Sequence, residues 1–516
     1  MRRPAILALM AAVAALAVAD WAARAAADDP PPAEAAGAYS GYSAAGGETW
    51  FCVGGVGGAG GSRQQVSILN TSGSELRGMV RLFPAVPLGG RSQPWPAARF
   101  ELVVAPYAQL DIDPAATVMQ LSPELASFAE LFVAAEVRLD GAGGVVMHEA
   151  TVAGAGDAGA CLTAASPEWH FAAASTRRDA QVRLSLLNPF SDDAVADIGF
   201  ATDEGRREPV AYQGVVVPAG TLLILDLGSE VTRRPQVAFS VVARSGNLLA
   251  SALQTFNGDL GLSGVSLRAG SPRPQEQWLF PLGVAGAGAG AANSFVVYNP
   301  DVAEARVDVA VELDAALQAR GVPPFELTVP PGQRVEVTFF PPLTGGAHPV
   351  SGVDVVAATS RVPPSERYWV SVRSFNGVAV VAERLRTVEA GLQGEVSLLP
   401  GRAVGARRGT FMLGGAGSGR HAVSIVNPSL ETISRLSLEA LTGSGWVALG
   451  GFNDVEIRPR QRLLLDLSIS LPPGASALRF SATEPLVASH ARPGGSGALG
   501  AVPESESISE LEQLLF

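Results

Sequence analysis

The chain has 516 residues, 47% of them hydrophobic and 17% charged, so it folds rather than staying disordered and is too long for one core. A net charge of −12 sets it against phosphate backbones and anionic lipid, and nucleic acid is excluded as an expected partner. None of the 37 basic residues is lysine, which rules out a phosphate-loop lysine, Schiff-base chemistry and a Ser-x-x-Lys acyl enzyme.

Arg2 and Arg3 precede an apolar run from Ala5 to Ala19, about 22 Å as a helix and short of a bilayer core of about 30 Å. Small residues follow in "AARAAADD". Residues 1–27 are therefore expected to be an export signal, either cleaved after Ala25 or Ala27 or kept as an anchor. Both outcomes place the remainder outside the cytoplasm, with membrane contact only through this segment if it stays. Residues 28–47, rich in Pro, Ala and Gly, read as a flexible linker.

One pattern then passes four times. An aromatic residue opens each pass, at Trp50, Trp169, Trp278 and Phe411. An apolar run ending in asparagine follows: "VSILNT", "LSLLNP", "FVVYNP" and "VSIVNP", with Asn70, Asn188, Asn299 and Asn427. Prolines recur next, at Pro106, Pro218, Pro330 with Pro331, and Pro459, and paired apolar runs close each pass. Alternation in "LILDL" and "RLSLEAL" predicts strands with one face toward a core. The expected fold is all-β: four tandem Ig-like β-sandwich domains over residues 48–165, 166–275, 276–405 and 406–500, then an acidic tail over 501–516. That tail could form a short amphipathic helix or fray. Within the first domain, Ser122 and Pro123 predict the start of a short helix. Each asparagine is read as a strand terminator, because a following proline donates no hydrogen bond and an asparagine side chain can hold the turn; Thr71 replaces that proline in the first copy.

Cys52 and Cys161 are the only cysteines, and in an exported chain a disulfide between them is expected, two buried thiols being the alternative. Closing so long a loop stabilises by up to about 4.7 kcal/mol in the chain-entropy model.

The order of signal, Pro/Ala spacer, "TWFCVGG" opening, "LNP" strand end, "VPAG…LDL" stretch and "FNG" closing resembles the tandem sandwich repeats of secreted actinobacterial proteins. The layout is similar to the uncharacterised domain-of-unknown-function 5719 family, from about residue 48 to about residue 500. The resemblance implies repeated sandwiches, a place among cell-envelope and glycosyltransferase functions, and no catalytic residues to carry over. The third unit departs from the pattern, with Glu336 where the others have aspartate.

Candidate chemistry is sparse. The glycine-rich stretches after the opening strands lead into strands rather than helices, so they read as loops and not as dinucleotide cradles. His148, His170, His348, His421 and His490 lack metal-ligand spacing, and Ser43 misses a nucleophile elbow by one residue. Asp111 and Asp113 share a strand face but lack the further oxygen ligands that calcium needs. No cofactor or metal is expected. The recurring tryptophans read as core, whereas Trp95, between two prolines, is a possible contact residue. The expected role is non-enzymatic: an extracytoplasmic, cell-envelope-associated structural or adhesive protein whose partners are envelope proteins or cell-wall glycans. The alternatives are a glycan-binding accessory protein of wall assembly and, last, a hydrolase with an interdomain site.

Overall fold

The computed structural model describes residues 49–58, 60–284, 291–314, 322–339, 355–357, 367–390, 393–403, 405–413, 422–466 and 471–491. The expectations for the signal, the linker and the acidic tail, and those for His348 and His421, lie outside the described residues. The described chain is built mainly of antiparallel β-sheet, as the alternating patterns predict.

All four passes follow one pairing scheme. In the first sheet of each repeat, an opening strand (Thr49–Gly57, Glu168–Ala174, Gln277–Val284, Ala406–Met412) pairs with a first closing strand (Leu131–Leu139, Val237–Ser245, Arg367–Ser374, and part of Ala477–Ala491). The other side of that closing strand takes a middle strand (Leu76–Leu88, Ala194–Thr202, Ala305–Leu313, Ser434–Thr442). In the second sheet, the asparagine strand (Arg63–Asn70, Ala180–Asn188, Ala291–Tyr298, Ala422–Val426) lies between a post-turn strand and a second closing strand. In the fourth repeat the single strand Ala477–Ala491 serves both sheets. The opening aromatics Trp50, Trp169, Trp278 and Phe411 are buried. The Nε1 of Trp169 donates to Leu248 O at 2.9 Å and that of Trp278 to Val380 O at 2.7 Å, matched positions in the two repeats.

The repeats are not separated by linkers. One continuous sheet takes strands from the first three, joined where Leu225 pairs with Arg91 and where Leu262 and Ser263 pair in parallel with Gly394 and Glu395. Phe51 and Phe83 share a core with Leu184 and Leu225 of the second repeat, and Ala172 and Ala238 of the second pack into the core of the third. This corrects the reading of "LILDL" as half-buried. Ile224 is as buried as Leu223 because the edge strand Arg91–Pro94 of the first repeat lies beside it, with Ser92 Oγ accepting from Ile224 N at 2.8 Å. "RLSLEAL" does alternate, with Leu436, Leu438 and Ala440 buried and Ser437 and Glu439 half-buried.

A short helix does start at Ser122 and Pro123, as expected, and a second, unforeseen one precedes it. An α-helix, α1, spans Pro114–Leu121, capped by Asp113, whose Oδ1 accepts from Ala116 N at 2.9 Å. Ser122 makes no side-chain cap, and Pro123–Ser127 is a 3₁₀ helix. Asp113 is therefore a helix cap and not a partner of Asp111 on a strand face; Asp111 accepts from Ser67 Oγ at 2.7 Å. Glu336 is likewise out of register with Asp226. It lies opposite Val296 and is buried against Arg334 at 2.7 Å, whereas Asp226 lies opposite Arg183.

Candidate functional site

The recurrent asparagines do one structural job, four times over. All four are at most 1% exposed. Each Oδ1 accepts from the backbone N–H two residues on, at Ser72 (2.9 Å), Phe190 (3.1 Å), Asp301 (3.0 Å) and Ser429 (3.1 Å). Each Nδ2 donates across to a carbonyl of a distant segment, Val104 (3.1 Å), Val217 (3.0 Å), Val329 (2.9 Å) or Ile457 (3.0 Å). Three residues beyond that carbonyl stands a left-handed residue: Tyr107 (φ 58°), Gly220 (φ 65°), Gly332 (φ 63°) and Arg460 (φ 58°). The structural register thus runs on the left-handed residue, and the prolines precede it by one position or two. The asparagine ends its own strand and clamps the turn that feeds its neighbour, satisfying buried backbone groups that no ladder reaches.

Cys52 and Cys161 form a disulfide with Cα atoms 4.4 Å apart. By register with the opening tryptophans, Cys52 stands where Phe171 and Phe280 stand in the next two repeats. The bridges Phe51–Leu162, His170–Ser271 and Leu279–Arg402 place Cys161 at the position of Gly270 and Gly401. A Cβ on Gly270 would lie 2.7 Å from the Phe171 ring, and one on Gly401 would lie 2.8 Å from that of Phe280. The first repeat joins the two positions covalently; the second and third pack a ring onto bare backbone. Trp95 is half-buried against the first core, its backbone N–H donating to Pro84 O at 2.9 Å.

Each repeat also covers the one before it, in a cycle that closes on itself. The turn end of the second repeat lies on the first sheet of the first, that of the third on the second, that of the fourth on the third and that of the first on the fourth. Registers align four positions at every junction: the residue after the opening aromatic, its partner on the closing strand, that residue's partner on the middle strand, and the residue before the asparagine. Between repeats 1 and 2 these are Phe51, Glu136, Arg81 and Leu187. Between 3 and 4 they are Leu279, Ser371, Ala310 and Val426; Leu279 and Val426 share an apolar cluster with Trp369. Between 4 and 1 they are Met412, Ala477, Leu441 and Leu69, which form an apolar plug.

Between repeats 2 and 3 the same positions hold His170, Ser240, Gly199 and Tyr298. Tyr298 Oη and Ser240 Oγ lie 3.0 Å apart, Ser240 Oγ is 2.7 Å from His170 Nδ1, and His170 Nε2 is 3.2 Å from Glu168 Oε2. The carboxylate can only accept, so Nε2 donates to it. A neutral imidazole then accepts from Ser240, which accepts from Tyr298. The His170 hydrogen bond holds the Glu168 carboxyl below its ordinary range against the opposing effect of burial, and burial raises the Tyr298 phenol. Beside this chain opens a cleft of about 650 Å³, walled by Asp197, Arg206 and Glu208 of the second repeat and by Asp301 of the third. Arg244 at 2.7 Å holds the Asp197 carboxyl low.

Of the described histidines, His170 enters this chain, and His148 is buried in the first repeat, where desolvation lowers its pKa to about 4. Among the described residues no cluster of His, Cys, Asp and Glu could hold a metal. Sequence reading missed the cleft because Glu168, His170, Ser240 and Tyr298 are far apart in the chain. The usable signal was register: a histidine stands after Trp169 where its counterparts are Phe51, Leu279 and Met412.

Residues 129–319 match the model of DUF5719, a family of unknown function, in agreement with the resemblance read from the motifs. The matched stretch contains His170, Gly199, Ser240 and Tyr298. No curated protein matches. The crystal structure of Thermotoga maritima 1070 is similar at 15% identity and a TM-score of 0.18, over 25% of this chain and 94% of that one. The C-terminal domain of the Streptococcus pyogenes antigen I/II-family protein AspA is similar at 10% identity and a TM-score of 0.10, over 49% and 92% respectively. Trypsin-activated alpha-2-macroglobulin from Escherichia coli gives 11% and 0.12, over 88% and 41%. Likeness this low carries no argument.

Proposed function

We propose that this chain is a non-enzymatic interaction protein of the cell envelope, working outside the cytoplasm and presenting a stiff β-body to envelope proteins or cell-wall glycans. The observation that carries this reading is the cycle of junctions, three closed by side chains and one left open and polar. A rigid frame with one recess suits recognition, since little ordering is required on binding. The Cys52–Cys161 disulfide fits an oxidising compartment. The test is retention of the purified full chain on isolated wall polysaccharide and on an envelope protein fraction over a range of ionic strength. Saturable retention on either is the expected result; retention on neither overturns the reading.

The Glu168–His170–Ser240 run favours a second reading, a hydrolase working in the same cleft. Against it, Ser240 lies in a central strand paired on both sides, to His170 and to Gly199. The neighbouring N–H groups are held in the ladder and cannot form an oxyanion hole. Turnover of activated esters or glycosides that disappears in Ser240→Ala would establish the hydrolase instead.

A further inference from the structure

We infer that the cleft between the second and third repeats is a binding site for a neutral saccharide of one or two rings. This deepens the interaction reading above and rests on it. The first argument is the comparison of equivalent positions. Between repeats 1 and 2 the middle-strand position is Arg81, whose guanidinium stacks 4.4 Å over Phe83, lies 3.8 Å from Glu136 and donates to Pro189 O at 3.3 Å. That one side chain fills the junction and meets the turn end of the next repeat, where a Cβ on Gly220 would come within 2.8 Å of it. Between repeats 2 and 3 the position is Gly199, and a Cβ placed there would meet only Glu208 Cγ, at 4.0 Å. The glycine is not imposed by a positive φ, nor by a neighbour needing the room. Its consequence is space, about 650 Å³ of it, within the usual range for small-molecule sites.

The second argument is charge. The carboxylates around the space are already committed: Asp197 to Arg244 at 2.7 Å, Glu208 to Arg206 at 2.5 Å, and Glu168 to His170 at 3.2 Å. Asp301 has no side-chain partner among the described residues; its Oδ1 accepts from Ala303 N. An anion entering here meets four carboxylates, and a cation finds three of them occupied. A neutral ligand with many hydroxyls matches this lining, since each carboxylate keeps acceptor sites beyond those its partners use. Hydrogen-bonding groups fixed beforehand by their own partners lose little freedom when such a ligand arrives.

The test is a calorimetric and NMR titration of the full chain with maltose, cellobiose and N,N′-diacetylchitobiose, with glucuronate and glucosamine as charged controls. One neutral disaccharide is expected to bind once per chain. Gly199→Arg, which installs the side chain of the filled junction, is expected to weaken it by at least about tenfold with the thermal midpoint unchanged. Tyr298→Phe, which removes only the hydroxyl, is expected to weaken it less. Binding by none of the neutral sugars, binding that Gly199→Arg leaves unaltered, or binding of a charged control alone would each overturn the inference. Should wild type and Gly199→Arg be retained equally on wall polysaccharide while neither takes up a disaccharide, the interaction reading survives and the saccharide site does not.

Discussion

The junction between the first and second repeats and the junction between the second and third share one geometry and put it to opposite uses. In the first, Phe51 and Leu187 lie in a common core, and Arg81 spans the remaining distance. In the second, His170 and Tyr298 replace the two hydrocarbons and Gly199 replaces the arginine, leaving a polar recess. Deeper in that junction, Arg268 and Glu383 are buried 3.3 Å apart, with Glu383 Oε2 accepting from Ala173 N at 2.8 Å. Burial raises the Glu383 carboxyl although Arg268 pulls it the other way. A buried pair of this kind adds little net stability but penalises misalignment. The lesson is that one packing geometry accepts apolar or polar filling, and a function can be placed at a single junction while the others keep the body together.

Several substitutions sharpen that contrast, beginning with the one expected to cost most. Replacing Cys52 and Cys161 together by alanine should lower stability by about 4 kcal/mol, read by denaturant unfolding. Cys52→Phe with Cys161→Gly installs the pair found in the next two repeats and should recover part of that loss. No recovery would break the equivalence of the three positions. Asn188→Ala should cost about 3 kcal/mol, since the buried carbonyl of Val217 and the N–H of Phe190 both lose their partner. Asn299→Ala should cost about the same. A marked difference between them would mean that the clamps are not one device.

His148 separates the first repeat from the others by pH. Its folded pKa of about 4 lies below the unfolded value, so the unfolded chain binds the extra proton first. Its effect on stability is nil well above pH 6.5 and becomes unfavourable as pH falls toward about 4, by roughly 3 kcal/mol in all. His148→Met should flatten the acid limb of the stability–pH curve, measured by unfolding at pH 7 and pH 4.5. Gly270→Ala should cost about 2 kcal/mol, because the added methyl meets the Phe171 ring and Trp169 Cβ. Gly199→Arg should change stability by no more than about 0.5 kcal/mol, the smallest effect of the set. A large loss there would show that the recess needs its emptiness to fold.

Much of this was legible in the chain. The aromatic openers, the asparagines and the paired closing runs carry the strand order of all four repeats, because a strand that buries one face and ends at a fixed turn must write both facts locally. Proline was a poorer guide than the left-handed residue after it. Tyr107 and Arg460 hold that conformation with side chains that give no sign of it, so the register read from proline slips by one. The 3₁₀ helix after Ser122 was foreseen and α1 was not, because α1 forms where Ala115 and Val118 find a core.

Of the cleft, only one sign was legible: the histidine after Trp169 where the other repeats have apolar residues. By itself the sequence determined that the molecule is all-β, that one unit recurs, and where each unit turns, since these follow from side-chain alternation and backbone constraints acting over a few residues. Only the tertiary structure decided that the repeats close on one another, that Ile224 is buried on its second face, and that Glu168, His170, Ser240 and Tyr298 meet. Those outcomes depend on which surface each repeat lays on the one before it, and no residue records the surface that will cover it.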